Sequence, residues 1–209
     1  ISPDNSGCLN RLAEGDADID ELREVHEKIA RQAYRAAAII HRVHDFVRRS
    51  EPKRERIALN DVVREAIELM DADARKRQMR VVLHLAPGLP TLAADPVMIE
   101  QLVVNLVRNG MDAVASLPAG KRIISVTTSE KAGNLVLRVA DCGPGIDPEQ
   151  ARRLFEPFFS TKEEGMGMGL NICRSIAELH RGRLTFEAAP DGGAVFILTL
   201  PVEMEPATA

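Results

Sequence analysis

Cysteine is scarce in this chain, and its few copies form no recognisable pattern. Cys8, Cys142 and Cys173 are odd in number, lie far apart and include no Cys-x-x-Cys pair. We therefore expect neither a disulfide framework nor a cysteine-based zinc site, and a reducing compartment fits this usage.

The sequence also lacks a long hydrophobic run and an excess of basic charge. No apolar stretch approaches the ~20 residues of a membrane-spanning helix, and the first residues do not have the pattern of a signal peptide. The formal net charge is −4, whereas proteins that bind nucleic acid are more often basic. We expect a cytoplasmic chain with no membrane segment and no nucleic-acid partner. A longer parent protein could still be anchored in a membrane by another segment.

The first quarter of the chain has a heptad repeat. Two series recur every seven residues and are offset by four, and every member except His26 is apolar: Leu22, Ile29, Ala36 and Val43, then His26, Ala33, Ile40 and Val47. This pattern predicts a helix over about 18–49 that packs on a partner helix or a second chain. The stretch before it looks like the end of another helix, so residues 1–50 are predicted to form a helical hairpin. The charged, proline-containing segment 51–56 is predicted to be a linker.

Residues 57–202 alternate between helix and strand patterns and are predicted to form one domain, with 203–209 as a tail. Helices are predicted from Asp61 to about Arg77, from Asp95 to Leu117, and over "NICRSIAELH". Strands are predicted over "IALN", "MRVVLHL", "RIISVTTSE", "NLVLRVAD" and the pair in "RLTFEAAPDGGAVFILTLP". Gly133-Asn134 and Asp191-Gly192-Gly193 are hairpin signals. Hairpin strands beside separate helices predict an α+β fold, with a mixed or antiparallel sheet and helices on one face.

The stretch "NLVRNGMDA" places polar side chains on an otherwise apolar helix. Asn105, Asn109 and Asp112 are spaced by four and three, so they share one face. A solvated outer stripe would explain them. A polar ligand, such as a metal ion with phosphate oxygens, would explain them equally well.

Two glycine-bearing stretches follow. In "VADCGPGI", Asp141 ends a hydrophobic strand, which is either an ordinary turn or a carboxylate that accepts a hydrogen bond from a ligand amine. In "FFSTKEEGMGMGL", three alternating glycines precede a helix, as in a flexible surface turn or in a loop whose amides approach an anion. Neither the Walker A pattern nor a dinucleotide-binding unit is present.

In order, these stretches resemble the four boxes of the ATP-binding catalytic domain of sensor histidine kinases. "NLVRNGMDA" is similar to the N box, "DCGPGI" to the G1 box, "LFEPFFSTK" to the F box and "GMGMGL" to the G2 box. The wider superfamily includes gyrase, the Hsp90 chaperone and MutL, and the resemblance covers roughly residues 57–201. It implies a two-layer α/β sandwich that binds ATP and Mg²⁺ under a mobile lid, preceded by a dimerisation hairpin that makes a homodimer.

The resemblance also implies roles for individual residues. Asp141 would bind the adenine amine, and Asn109 would hold Mg²⁺ through its side-chain oxygen. Asn105 stands where hydrolysing relatives have a water-activating glutamate, and an amide cannot take that proton, so transfer to another acceptor is favoured over hydrolysis. The full set implied to bind ATP is Asn105, Arg108, Asn109, Asp112, Asp141, Gly143, Gly145, Ile146, Phe158, Thr161, Lys162, Gly165, Met166, Gly167, Met168, Gly169 and Leu170.

The expected acceptor is a histidine in an H box, followed by an acidic residue and then a Pro-Leu pair. None of the five histidines has this context: His26, His41, His44, His84 and His180. We therefore predict a protein histidine kinase core that relays phosphate to the receiver domain of a response regulator. This chain alone is predicted not to phosphorylate itself. The alternative is an interaction protein of the same fold, such as an anti-sigma factor or adaptor, that keeps nucleotide binding as a switch.

Overall fold

The computed structural model describes residues 52–157, 159–160, 167–189 and 192–202. The chain divides into two compact units, Ile1–Glu51 and Pro52–Ala209. The predicted helical hairpin, the tail, and parts of the F box and the G2 box lie outside the described residues. Among the predicted site residues, this applies to Phe158, Thr161, Lys162, Gly165 and Met166.

Four helices and seven strands are described in the second unit. The helices are α1 (Leu59–Lys76), α2 (Pro96–Ala113), α3 (Pro148–Arg153) and α4 (Gly169–Leu179). The strands are β1 (Glu55–Ile57), β2 (Arg80–Leu85), β3 (Leu92–Ala94), β4 (Ile123–Lys131), β5 (Asn134–Asp141), β6 (Arg183–Ala188) and β7 (Ala194–Pro201). A 3-10 turn, Ala119–Lys121, precedes β4.

The main sheet has the strand order β2-β4-β5-β7-β6. Strands β2 and β4 are parallel, and the other neighbours are antiparallel. The sheet is therefore mixed, and the predicted α+β class is confirmed. A separate antiparallel pair joins β1 to β3, in which Glu55 lies opposite Ala94. Strand β1 therefore includes Glu55 and Arg56, which were predicted to end the linker. Of the strand predicted over "IALN" it contains only Ile57, because Leu59 and Asn60 belong to α1.

The core lies between this sheet and the helices. Alternate residues of β5, Leu135, Leu137 and Val139, are buried, while the residues between them are only half-buried. The sequence "NLVLRVAD" has this alternation because one face of the sheet is covered and the other is open. Helix α2 packs on both α1 and α4, and its apolar stripe is wholly buried from Met98 to Met111.

Helix α2 begins as predicted but ends earlier than predicted. Asp95 is the N-cap, because its side chain accepts a hydrogen bond from the amide of Met98, and proline follows at the first helical position. The helix ends at Ala113, four residues before Leu117. Residues preceding a proline are disfavoured in helical conformation, and Pro118 follows Leu117 directly. Helix α1 begins at Leu59, two residues before the predicted start.

Candidate functional site

The candidate site begins where β5 ends, at Asp141. The side chain is almost fully covered, with only 8% of the residue exposed. Its Oδ1 accepts hydrogen bonds from the backbone amides of Gly143, at 2.9 Å, and Ala194, at 3.3 Å. Within the part of the chain that the structure describes, both hydrogen bonds to this carboxylate end on Oδ1. The second oxygen, Oδ2, therefore remains available to a ligand donor.

The environment of Asp141 shifts its protonation. Burial raises the pKa of this carboxyl, because the charged form loses hydration, and the amides of Gly143 and Ala194 oppose the rise by stabilising the anion. No basic side chain contributes to this pKa shift, and a buried carboxylate that only two amides stabilise is unfavourable for folding. Such groups are concentrated at functional sites.

The G1 turn after Asp141 lies directly against the end of α2. A Cβ atom on Gly143 would come within 2.9 Å of the Ala113 carbonyl oxygen and 3.0 Å of Asp141 Oδ1. Only glycine therefore allows the amide of residue 143 to reach the carboxylate. Gly145 has a positive φ of +83°, and Ile146, the next residue, is half-buried at the rim of this turn.

Helix α2 presents its polar face beside this turn. Asn105 and Asn109 are half-buried and Arg108 is exposed. The thiol of Cys173 on α4 donates a hydrogen bond of 3.8 Å to the Leu102 carbonyl oxygen of α2. Burial raises the pKa of that thiol to about 12, and the nearby Asn105 side chain opposes the rise. The thiol is therefore protonated and unreactive near neutral pH. No ionisable base occupies the position of Asn105.

Asp112, on the same helical face, has a partner of its own. Its carboxylate accepts a hydrogen bond of 3.0 Å from Arg77, which follows α1 and also binds Asp73 at 3.0 Å. The hydrogen bond to Asp112 is the main cause that raises the pKa of Arg77. The ion pair joins the carboxyl ends of α1 and α2. A contact between Asp112 and a nucleotide stays a prediction.

The start of α4 supplies the described end of the G2 loop. Gly167 has φ +65° and Met168, the N-cap residue, is buried. The helix begins at Gly169, and a Cβ atom there would touch nothing within 4 Å, so the space above this turn is open. Gly169 and Leu170 are half-buried. The first-turn amides of a helix lack partners within the helix, and they favour an anion at this end.

The F-box segment is fastened to α4 and to the sheet. The Asn171 side chain donates a hydrogen bond of 3.1 Å to the Phe155 carbonyl oxygen. The Phe155 ring lies 6.3 Å from that of Phe186 on β6, and the Arg174 guanidinium lies 5.8 Å from the Phe155 centroid. These contacts hold the described part of the F-box segment against α4 and β6.

A comparison with known protein families agrees with this geometry. The model of the family described as histidine kinase-, DNA gyrase B- and HSP90-like ATPase matches residues 94–204. The match covers more than half of the chain and includes α2, the G1 turn and α4. The chain belongs to this family.

Curated relatives of the chain are sensor proteins. It is 40% identical to the C4-dicarboxylate transport sensor protein DctS of Rhodobacter capsulatus over 204 residues, which cover 98% of this chain and 31% of DctS. It is 38% identical to the sensor protein FixL of Bradyrhizobium diazoefficiens over 198 residues, 93% of this chain and 39% of FixL. The chain thus spans between 31% and 39% of the length of these two relatives.

Solved histidine kinases have the same fold. The catalytic domain of histidine kinase ThkA, in a nucleotide-free form, is 29% identical with a TM-score of 0.64, covering 72% of this chain and 96% of that one. ThkA in complex with the response regulator protein TrrA is 25% identical with a TM-score of 0.69, covering 95% of this chain and 56% of that one.

Among the described residues no group of three His, Cys, Asp or Glu side chains could hold a metal ion. Mg²⁺ commonly takes only one or two protein oxygens and fills its shell with substrate phosphates and water. The half-buried amide of Asn109 fits that arrangement.

No described helix is both long and apolar enough to cross a membrane.

Sequence reasoning missed several residues of this site. Ala194 contributes a backbone amide, which no side-chain pattern reveals. Cys173 and Asn171 lie in a helix that was predicted, but their partners on α2 and in the F box come from distant parts of the chain. The only signal was their position directly after the G2 loop.

Proposed function

We propose that this chain is the ATP-binding catalytic core of a two-component sensor histidine kinase. The observation that supports it best is the buried Asp141 carboxylate, whose Oδ1 is held by two backbone amides and whose Oδ2 is left for a ligand donor. A carboxylate accepts but cannot donate, so it suits the exocyclic amine of adenine and rejects a carbonyl oxygen at the same position.

The other site residues then have roles around the triphosphate. Asn109 would hold Mg²⁺, which neutralises charge on the phosphates, and Arg108 is exposed on the same helix. The first-turn amides of α4 would receive the terminal phosphates. Phe158, Thr161, Lys162, Gly165 and Met166 stay predicted contacts of the lid.

The chemistry favoured by these residues is transfer of the γ-phosphoryl group and not its hydrolysis. Asn105 has an amide side chain, which is not a base, so it cannot take a proton from water. The reaction instead depends on positioning and on neutralising charge. The protein supplies these through Asn109 with its metal and the α4 amides.

The phosphoryl acceptor would be a histidine in an H box. His180 is buried and both of its ring nitrogens are engaged, one with the Asp95 amide and one with the Ile176 carbonyl. His84 is exposed on β2 but lacks the H-box sequence. His26, His41 and His44 lie outside the described residues and also lack it. We infer that the acceptor is supplied by a separate segment.

The proposed partners follow from the same reasoning. The acceptor histidine would pass its phosphate to an aspartate of a response regulator receiver domain, and the similar kinase ThkA has been solved with such a regulator. The heptad repeat of 18–49 would join two copies into a homodimer, and we place the domain in the cytoplasm. Light scattering tests the homodimer: an Ile29→Lys variant should shift it towards monomer.

The function is tested with γ-labelled ATP and Mg²⁺. The chain is incubated alone and with a helical fragment that carries an H box. We expect acid-labile label on the fragment and negligible label on the chain, with less transfer at low ATP in Asp141→Asn. Binding of ATP without any transfer would favour the switch-like interaction protein. Strong acid-labile label on the chain that is lost in His26→Gln would show that the acceptor was misassigned.

A further inference from the structure

The turn between β6 and β7 lies against the base-recognition carboxylate, although it belongs to none of the four boxes. The amide of Gly192 donates to the Ala189 carbonyl oxygen, and the amide of Ala189 donates to the Gly193 carbonyl oxygen, each at 3.1 Å. Gly193 is buried and has φ +89°. A Cβ atom on it would lie 2.1 Å from the Asp141 carbonyl oxygen and 2.9 Å from Asp141 Oδ1. Nothing larger than glycine fits between this turn and Asp141.

The residue after this glycine uses its amide on the carboxylate. The last pair between β5 and β7 joins Ala140 to Val195. One step further on, the Ala194 amide donates to Asp141 Oδ1 at 3.3 Å. The backbone amide of Gly143, in the turn after β5, donates to the same oxygen at 2.9 Å. The two amides come from segments about fifty residues apart, and together they fix which oxygen stays open.

We propose that Gly193 is a positioning residue for adenine recognition. Its missing side chain lets the β6–β7 turn pack on Asp141, so that the Ala194 amide holds Oδ1 and leaves Oδ2 to the exocyclic amine. This role rests on the proposed function, because it requires Asp141 to bind the base. It adds the β6–β7 turn to the nucleotide site as a determinant of base specificity.

An alanine at this position would act on the carboxylate through the backbone. A contact of 2.1 Å cannot be kept, so the turn must move away from Asp141, and the Ala194 amide moves with it. The carboxylate then has one fixed hydrogen bond instead of two and can rotate. ATP should lose affinity, whereas GTP, which has a carbonyl oxygen in place of the amine, should lose little.

Gly192 provides a matched control. It has nearly the same backbone conformation, with φ +91°, but a Cβ atom on it would meet only the Gly143 carbonyl oxygen, at 3.7 Å. An alanine at either position therefore meets the cost of a positive φ. Only at Gly193 does it also collide with Asp141. The comparison of the two variants removes the general effect of an alanine in the turn.

Affinities for ATP and GTP are measured by calorimetry in the parent, Gly192→Ala and Gly193→Ala, with folding followed by thermal denaturation. We expect Gly193→Ala to bind ATP at least about tenfold more weakly than Gly192→Ala, the loss of about one hydrogen bond to a charged group, with a reduced preference for ATP over GTP. In an Asp141→Asn background, Gly193→Ala should cause no further loss of ATP affinity. Such non-additivity is expected when one residue acts through the other.

A second variant keeps the test decisive if Gly193→Ala does not fold. Ala194→Pro removes the amide donor itself, and proline is tolerated at the first residue of a strand. It should reduce ATP affinity in the same way. If Asp141→Asn weakens ATP binding but Gly193→Ala and Ala194→Pro bind ATP like Gly192→Ala, the positioning role is wrong and the proposed function stands. If Asp141→Asn binds ATP like the parent, the adenine assignment is wrong, and the role of Gly193 falls with it.

Discussion

Replacement of Asp141 by asparagine should separate ligand binding from stability. The amide oxygen of asparagine can still accept the hydrogen bonds that Oδ1 receives from Gly143 and Ala194. The second position then holds an NH₂ group, which donates and cannot accept. The exocyclic amine of adenine would face a donor where it now meets an acceptor.

The size of the effect follows from one hydrogen bond to a charged group. Such a bond contributes about 1.5–3 kcal/mol. At about 1.4 kcal/mol for each factor of ten, this loss corresponds to an ATP affinity that is lower by about 10- to 150-fold. The triphosphate contacts do not involve this carboxylate, so binding should be weakened and not abolished.

The stability of Asp141→Asn should be higher than that of the parent, or unchanged. Burial raises the pKa of Asp141 above its unfolded value, so the folded state favours the protonated form. Stability from this group is therefore present at low pH and is lost as the pH rises through the folded pKa, which leaves a cost at neutral pH. Asparagine removes that cost because it has no charge. The melting temperature of Asp141→Asn should equal or exceed that of the parent.

Calorimetric titration with Mg²⁺ and ATP, together with thermal denaturation without ligand, checks both parts. Parent-like affinity in the variant would refute the adenine assignment. A lower affinity accompanied by a clearly lower melting temperature would show that Asp141 acts through the fold. Asp141→Asn should bind ATP more weakly than the parent and be no less stable.

Three further results are expected. ATP affinity should fall as the pH is lowered through the raised pKa of Asp141, at a higher pH than the ~3.9 of an ordinary aspartate. Calorimetry at several pH values should show this fall in the parent and not in Asp141→Asn. The protonation of ATP itself affects both proteins equally and cancels in the comparison. His180→Phe should lower the free energy of unfolding by about 1–3 kcal/mol in denaturant, because the buried Asp95 amide loses its acceptor. The replacement His84→Phe, at an exposed position of β2, should change it by less than about 0.5 kcal/mol. Asn109→Ala should lower ATP affinity at least about tenfold with Mg²⁺ present and much less without it, since Mg²⁺ has few protein ligands to lose; equal losses under both conditions would contradict its role as the metal ligand.

Local patterns predicted most of the regular structure. The strands β4 and β5 alternate in burial along their length, and the Gly133-Asn134 signal lies at the turn between them, where Ala132 and Gly133 have positive φ. Helix α2 was predicted because its apolar stripe is long and its cap is explicit at Asp95. These features depend on residues that are close in sequence, so the amino-acid sequence alone is enough to predict them.

The short elements were not predicted, because their partners are distant. Strand β3, Leu92–Ala94, has three residues and is defined by pairing with β1, which lies more than thirty positions earlier. Helix α3, Pro148–Arg153, has one and a half turns and no buried residue. Neither is long enough to show a hydrophobic period. Each depends on a tertiary contact that a single sequence does not display.

The site was predictable in its chemistry and not in its connections. The sequence placed Asp141 at the end of a strand and asparagines on one face of α2, and both positions agree with the structure. It did not indicate that Asp112 pairs with Arg77, 35 positions away, or that the Ala194 amide holds Asp141. The second contact uses a backbone atom of an alanine, which has no polar side chain to suggest it. Gly193 was interpreted only as part of a hairpin turn.

A crystal structure with Mg²⁺ and a non-hydrolysable ATP analogue would show directly whether Asp141 binds the base. The adenine amine should lie within hydrogen-bond distance of Asp141 Oδ2, while Oδ1 keeps its hydrogen bonds to the amides of Gly143 and Ala194. The metal should contact the Asn109 side-chain oxygen, and the phosphates should lie at the start of α4. A nucleotide whose base lies elsewhere, for example in the cavity of about 600 Å³ between α4 and β6, would contradict it.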